Sequence, residues 1–141
     1  MTTQLKPAAS AIVIDGNRYL LIRRAHPPAQ DLFAFPGGRA EPGESPDETA
    51  LRELEEETGL KGENPRLFAT YDLPGKSGGG YFLSVFLVDC PERGSVRALD
   101  DALEAGWYSA AEIASIAVPE SVADCIQRLE VWRSTAATFE N

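Results

Sequence analysis

The chain has 141 residues, of which 43% are hydrophobic. That is enough for one core and too short for two, so one domain over residues 1–141 is expected. A net charge of −9 excludes the clustered Lys/Arg surface that holds nucleic-acid polymers. No apolar run approaches the ~20 residues of a membrane span, residues 1–10 lack a secretory pattern, and Cys90 and Cys125 make no disulfide framework. A reducing, cytoplasmic setting is expected.

In chain order, Ala8 to Ile14 reads as a strand, Asp15-Gly16-Asn17 as a turn, and Tyr19 to Arg24 as the second arm of a hairpin. A loop with Pro27-Pro28 follows. Phe33-Ala34-Phe35 then leads in extended form into Pro36-Gly37-Gly38. The clearest helix spans Pro46 to Thr58. Ser45 and Glu48 form a capping box, Pro46 takes the first helical position, and Gly59 supplies the left-handed stop. Ala50, Leu51, Leu54 and Thr58 are its inward stripe.

Leu67 to Asp72 is a strand candidate, followed by a loop with a glycine triplet at Gly78 to Gly80. Tyr81 to Val88 is almost wholly apolar, as a central strand covered on both faces would be. Gly106 to Tyr108 is a short edge segment before a turn of helix at Ala110 to Ala114. Val118 to Arg133 is a second full helix with Val122, Ile126, Leu129 and Trp132 or Arg133 inside, and the tail after Ser134 carries little pattern.

The first helix carries more carboxylate than solubility requires. Glu53, Glu56 and Glu57 are three and four residues apart and share one side. The Glu53/Glu57 pair repels, at a cost of about 0.2–0.5 kcal/mol if nothing compensates. Arg52 answers only part of that charge, and Glu55 adds to it. A solvated acidic face is the plain explanation. The alternative is a hard dication: Glu44 stands just before the helix, and Gly37-Gly38 can turn a backbone carbonyl toward a metal. The oxygen-rich set suits Mg2+. Nothing suggests zinc, because His26 is the one histidine and no cysteine pair is spaced for ligation. His26 itself reads as a solvent-loop residue.

Five residues separate Gly38 from Glu44, and seven separate Glu44 from Arg52-Glu53-Leu54-Glu55-Glu56-Glu57-Thr58-Gly59-Leu60. This spacing resembles, without departure, the signature box of the Nudix hydrolases, Gly-x5-Glu-x7-Arg-Glu-aliphatic-x-Glu-Glu-x-Gly-aliphatic. A looser likeness runs upstream through Leu20-Leu21-Ile22-Arg23-Arg24 and downstream to Trp107. The resemblance implies an α/β/α sandwich around a mixed β-sheet, with the box forming loop, helix and loop. It also implies Mg2+- or Mn2+-dependent cleavage of a nucleoside diphosphate linked to another group. By carry-over, Glu53, Glu56 and Glu57 would be metal ligands and Gly37 or Gly38 would lend a backbone oxygen. Glu44 would support the metal shell, and Arg52 would orient the helix glutamates.

The general base is expected to be Glu56 or Glu53, or a carboxylate outside the box. Glu104 is the first outside candidate, with Glu92 behind it and Asp100 and Asp101 as further ones. Arg23 and Arg24 are candidates for phosphate contacts. Phe35 and Trp107 are candidates for stacking on a base, although core packing explains most aromatics of the chain, Phe33 and Tyr81 included. The short chain resembles the small family members that act on ADP-ribose or on nucleoside triphosphates. ADP-ribose, giving AMP and ribose 5-phosphate, is the first expectation. A triphosphate giving a monophosphate and pyrophosphate is the second, and a silent nucleotide-binding module is the third. The expected partner is a small nucleotide, with no nucleic-acid polymer and no membrane, and homodimerisation is a further possibility.

Overall fold

The two apolar segments at the start of the chain part company at Val13. In the computed structural model, which describes residues 5–27, 29–75 and 77–140 with side chains as far as residue 135, the expected hairpin is confined to its tip. There β2 (Ile14–Asp15) pairs with Arg18 and Tyr19 across Gly16, whose φ is 65°. The reason is burial. Ala9, Ala11, Ile12 and Val13, like Tyr19 to Ile22, are at most 1% exposed, and an isolated hairpin cannot cover both faces of both arms. Each segment therefore takes a central place in a sheet of its own.

The first sheet has the order β5 (Gly37–Arg39), β1 (Lys6–Ile12), β7 (Gly80–Asp89), β6 (Glu63–Pro74). Strand β1 runs parallel to β7 and antiparallel to β5, and β6 is antiparallel to β7. In the second sheet β3 (Arg18–Arg24) pairs along its whole length with β8 (Ala102–Ser109), and with β2 and β4 (Phe33–Ala34) at its two ends. The expected central strand is thus β7. Strands β6 and β8 are longer than their sequences suggest. Their pairings shift register, at Glu63/Arg66 and Leu67/Ala69 in β6 and opposite Arg23/Arg24 in β8. Such irregularities break the period-two pattern that makes a strand legible.

Helices cover both sides. Alternate residues of β1 and β3 send Ala9, Ala11, Val13 and Leu20 toward Ala50 and Leu54 of α1 (Pro46–Thr58). Ile12, Tyr19 and Leu21 go instead toward Val122, Cys125, Ile126 and Leu129 of α3 (Glu120–Glu140). The result is an α/β/α sandwich with a mixed sheet, as the resemblance implied. The one-turn α2 (Ala110–Ile113) follows β8.

The local signals of α1 hold as expected. The Ser45 N–H donates to Glu48 Oε1 at 2.9 Å, and Gly59 closes the helix at φ 78° with its N–H on the Glu55 carbonyl. Its inner face differs: Thr49 and Glu57 are buried beside Ala50, Leu54 and Thr58, while Leu51 is only half-buried. Helix α3 begins two residues later than expected and continues through the weakly patterned tail to Glu140. Trp132 is 62% exposed. Arg133 turns inward instead, donating to the Tyr19 hydroxyl at 3.3 Å. No described helix is long and apolar enough to cross a membrane.

Candidate active site

One turn of α1 puts a carboxylate where an apolar side chain would ordinarily go. Glu57 is 3% exposed, and its Oε1 accepts the Gly37 N–H from β5 at 2.9 Å. Burial, followed by the charge of Glu53, pushes the Glu57 carboxyl up to about 8, with the Gly37 bond and Arg24 acting the other way. Burial likewise raises Glu53, against the pull of Arg52. Two adjacent carboxyls thus resist ionising together. Gly38 makes room for this pair: a Cβ there would stand 2.6 Å from the Glu53 carboxylate carbon.

Arg52 binds the cluster together. Its Nε and Nη2 grip Glu44 Oε2 and Oε1 at 2.7 and 2.9 Å, while Nη1 reaches Glu53 Oε1 at 2.9 Å and Glu56 Oε2 at 3.1 Å. Nη2 also donates to the Arg39 carbonyl. Glu44 additionally accepts from the Thr49 hydroxyl at 2.7 Å and the Glu41 N–H at 3.0 Å. These bonds, that of Arg52 foremost, hold its carboxyl down to about 2. Both Glu44 oxygens are therefore occupied by protein donors. Among the described residues no group of three His, Cys, Asp or Glu forms a ready metal cage. What stands between Glu53 and Glu56 is the guanidinium. The donors on offer remain oxygens at a buried, like-charged pair, which suits Mg2+ or Mn2+.

The helix carboxylates border a cleft of about 1090 Å³. Glu53, Glu56, Glu57, Arg52, Gly37, Gly38, Arg24 and Phe35 all line it. Arg23, Glu44, Glu92, Glu104 and Trp107, also expected at the site, do not. Strand β8 pairs Glu104 opposite Arg23, and the two form an exposed ion pair of 3.1 Å that Asp31 extends at 3.2 Å. Trp107 packs half-buried on the α1 side and borders a separate hollow with Asp15 and Arg93. Among the described residues, the carboxylates outside the box that do reach the cleft are Asp100 and Asp101, and Glu41 reaches it from within the box. His26, expected in a solvent loop, also borders it and stands 3.3 Å from Asp101. Asp100 takes the left-handed φ of 51°, uncommon for a residue other than glycine, and its position depends on a fold-level crossing that local pattern does not reveal.

With fold and site in view, comparison with known proteins is decisive for the class. A NUDIX domain model matches residues 4–129, and the chain belongs to that family. An ADP-ribose pyrophosphatase of Methanocaldococcus jannaschii is 36% identical over 103 residues, 70% of this chain and 61% of that protein. A human mitochondrial NAD(P)H pyrophosphatase is 32% identical over 79% of this chain but only 32% of its own length. The chain thus spans less than two thirds of these relatives. Among solved structures, a NUDIX hydrolase from Nitrosomonas europaea superposes with a TM-score of 0.78 at 26% identity, covering 91% of this chain and 90% of the other.

Proposed function

We propose that the protein is a divalent-metal-dependent hydrolase of the phosphoanhydride bond in nucleoside diphosphate derivatives, and that its substrate is ADP-ribose, released as AMP and ribose 5-phosphate. The observation that carries the hydrolase reading is the buried Glu57 beside the half-buried Glu53 in the lining of the cleft, next to the space left by Gly38. A solvated acidic face would expose these groups. The cleft is large enough for a two-lobed ligand with a diphosphate at its middle. The ADP-ribose pyrophosphatase among the relatives supports the choice of substrate.

In this reading Glu53, Glu56 and Glu57, with the Gly38 carbonyl, hold Mg2+ or Mn2+. When bound, the metal neutralises charge on the phosphate oxygens and acidifies a water. Glu44 acts through Arg52: the two hydrogen bonds it accepts from the guanidinium keep the arginine in place when Glu53 and Glu56 turn to a cation. Glu56 is the most exposed of the three, so it is the carboxylate that keeps an oxygen free to accept the proton of the attacking water. Arg24 and Phe35 face the ligand. Asp100 and Asp101 replace Glu104 as the outside carboxylates that could assist, because they line the cleft and Glu104 is paired with Arg23.

The test is incubation with Mg2+ and a panel of ADP-ribose and nucleoside triphosphates, with products separated by chromatography. AMP and ribose 5-phosphate are expected. A monophosphate with pyrophosphate would move the assignment to triphosphates, and absence of turnover on the whole panel would refute the hydrolase. Glu56→Gln should lower turnover by about 100-fold or more while the protein stays folded. A carboxylate of a mere acidic face would leave turnover intact.

A further inference from the structure

At the open end of the first sheet, three hydrogen-bond donors gather on one face of neighbouring strands. Lys6 of β1 stands opposite Tyr81 of β7, and Ala8, two residues on, stands between Arg39 of β5 and Leu83 of β7. Residues in such register project to one side, and Leu83 marks it as the side packed toward α3. Lys6, Ala8, Arg39 and Tyr81 all line the cleft. Lys6 and Arg39 are diagonal neighbours, so about 7–8 Å separates them at the backbone, with only the Ala8 methyl on the floor between. Among the described residues neither cation forms an ion pair, and the Tyr81 hydroxyl has no hydrogen-bond partner in the protein. Glu41, next in line across from Lys6, leans to Arg52 instead, at 3.8 Å.

Like charges set side by side repel, and leaving two of them unanswered in a chain of net charge −9 fits an anion that arrives from solution. Arg39 alternates with Gly38, whose missing side chain faces Glu53. The cations therefore leave edge strand β5 on the face opposite the α1 carboxylates, and a phosphate they grip is not the one at the metal. We propose that Lys6, Arg39 and Tyr81 form a second anion site, which takes a phosphomonoester on the ribose of the substrate's nucleoside. The preferred substrate class is then a nucleoside diphosphate derivative phosphorylated at a 2′ or 3′ hydroxyl. This rests on the hydrolase reading, which puts the diphosphate at the α1 glutamates. A third phosphate in line with that diphosphate would stay beside the metal, whereas a ribose phosphate is set off from it by the sugar and reaches around β5. Guanidinium and ammonium supply charge-assisted bonds to its oxygens, and the phenol donates one more.

Calorimetric titration of AMP, adenosine 2′,5′-bisphosphate and adenosine 3′,5′-bisphosphate tests the site without turnover. One bisphosphate should bind wild type about tenfold or more tighter than AMP, and salt should shrink that advantage. Lys6→Ala and Arg39→Ala should each remove about 5–10-fold of the advantage, and Tyr81→Phe about threefold, with AMP held within about twofold throughout. Arg39→Ala keeps the carbonyl that Arg52 uses. Lys6→Arg, which keeps the charge, should keep most of the advantage. In Mg2+, ADP-ribose carrying the favoured phosphate should show a lower KM than ADP-ribose at similar kcat, the mark of uniform binding. Bisphosphates that bind no tighter than AMP would overturn the proposal. Equal weakening of AMP and the bisphosphates would also overturn it, since the donors would then serve the phosphate common to all three. Bisphosphate binding that depends on these residues, in a protein that hydrolyses nothing, would uphold the anion site and sink the hydrolase.

Discussion

Gly38 and Gly37 are neighbours whose missing side chains serve different ends. A Cβ on Gly38 would meet the Glu53 carboxylate, the far end of a flexible side chain. Glu53 can swing aside, so Gly38→Ala should keep the fold and lose the site. Thermal unfolding within a few degrees of wild type, with Mn2+ affinity and turnover down by about tenfold or more, is the expected pair of results. A Cβ on Gly37 would instead stand 2.5 Å from the Ala9 carbonyl and 2.8 Å from Ser10 Cα. Backbone cannot swing aside. Gly37→Ala should push β5 off β1 and destabilise by about 1–3 kcal/mol, measurable by urea unfolding. If both variants lost stability equally, Glu53 would be held too firmly for the role given to it.

Element by element, what sequence revealed tracks how local the cause is. The bounds of α1 were legible because Ser45, Pro46, Glu48 and Gly59 act within one turn of its ends. The box spacing then placed Glu53, Glu56 and Glu57 on one side. The division of β1 and β3 between two sheets was not legible, because it follows from pairing with β7 and β8, about 75–90 residues away along the chain. Alternation along β3 puts Arg23 and Arg24 on opposite faces, but which of them meets Glu104 and which lines the cleft follows from the distant pairing with β8. Arg52 could be read as a partner of the helix glutamates, but its fork onto Glu44 depends on the loop folding back over α1. A lysine cannot grip two Glu44 oxygens while reaching Glu53 and Glu56. Arg52→Lys should therefore retain the helix by circular dichroism and reduce Mn2+ affinity about 10–100-fold, as loss of a partner that orients metal ligands does. Unchanged affinity would mean that Glu44 and Arg52 only staple the loop.

For the molecule as a whole, the buried pair makes stability depend on pH with a definite sign. The Glu57 carboxyl lies at about 8 in the folded protein against an ordinary 4.5, so the native state holds a proton that the unfolded chain releases. Stability from this group is fully present below about pH 4.5 and is lost as pH rises toward 8. Glu44 acts oppositely: held down to about 2, it contributes above its ordinary range, and that contribution disappears as pH falls from 4.5 toward 2. A net charge of −9 also destabilises the folded chain as carboxylates ionise, so a falling melting temperature in wild type does not single out Glu57. Comparison with Glu57→Gln does. In chelator, the variant should melt above wild type at pH 8, and the difference should shrink as pH falls toward 4.5. Mg2+ should then raise the wild-type melting temperature at pH 8 and move the variant much less, because a dication replaces the proton between Glu53 and Glu57. Parallel melting curves for the two proteins across that range, with and without Mg2+, would show that the pair bears no strain for a cation to relieve.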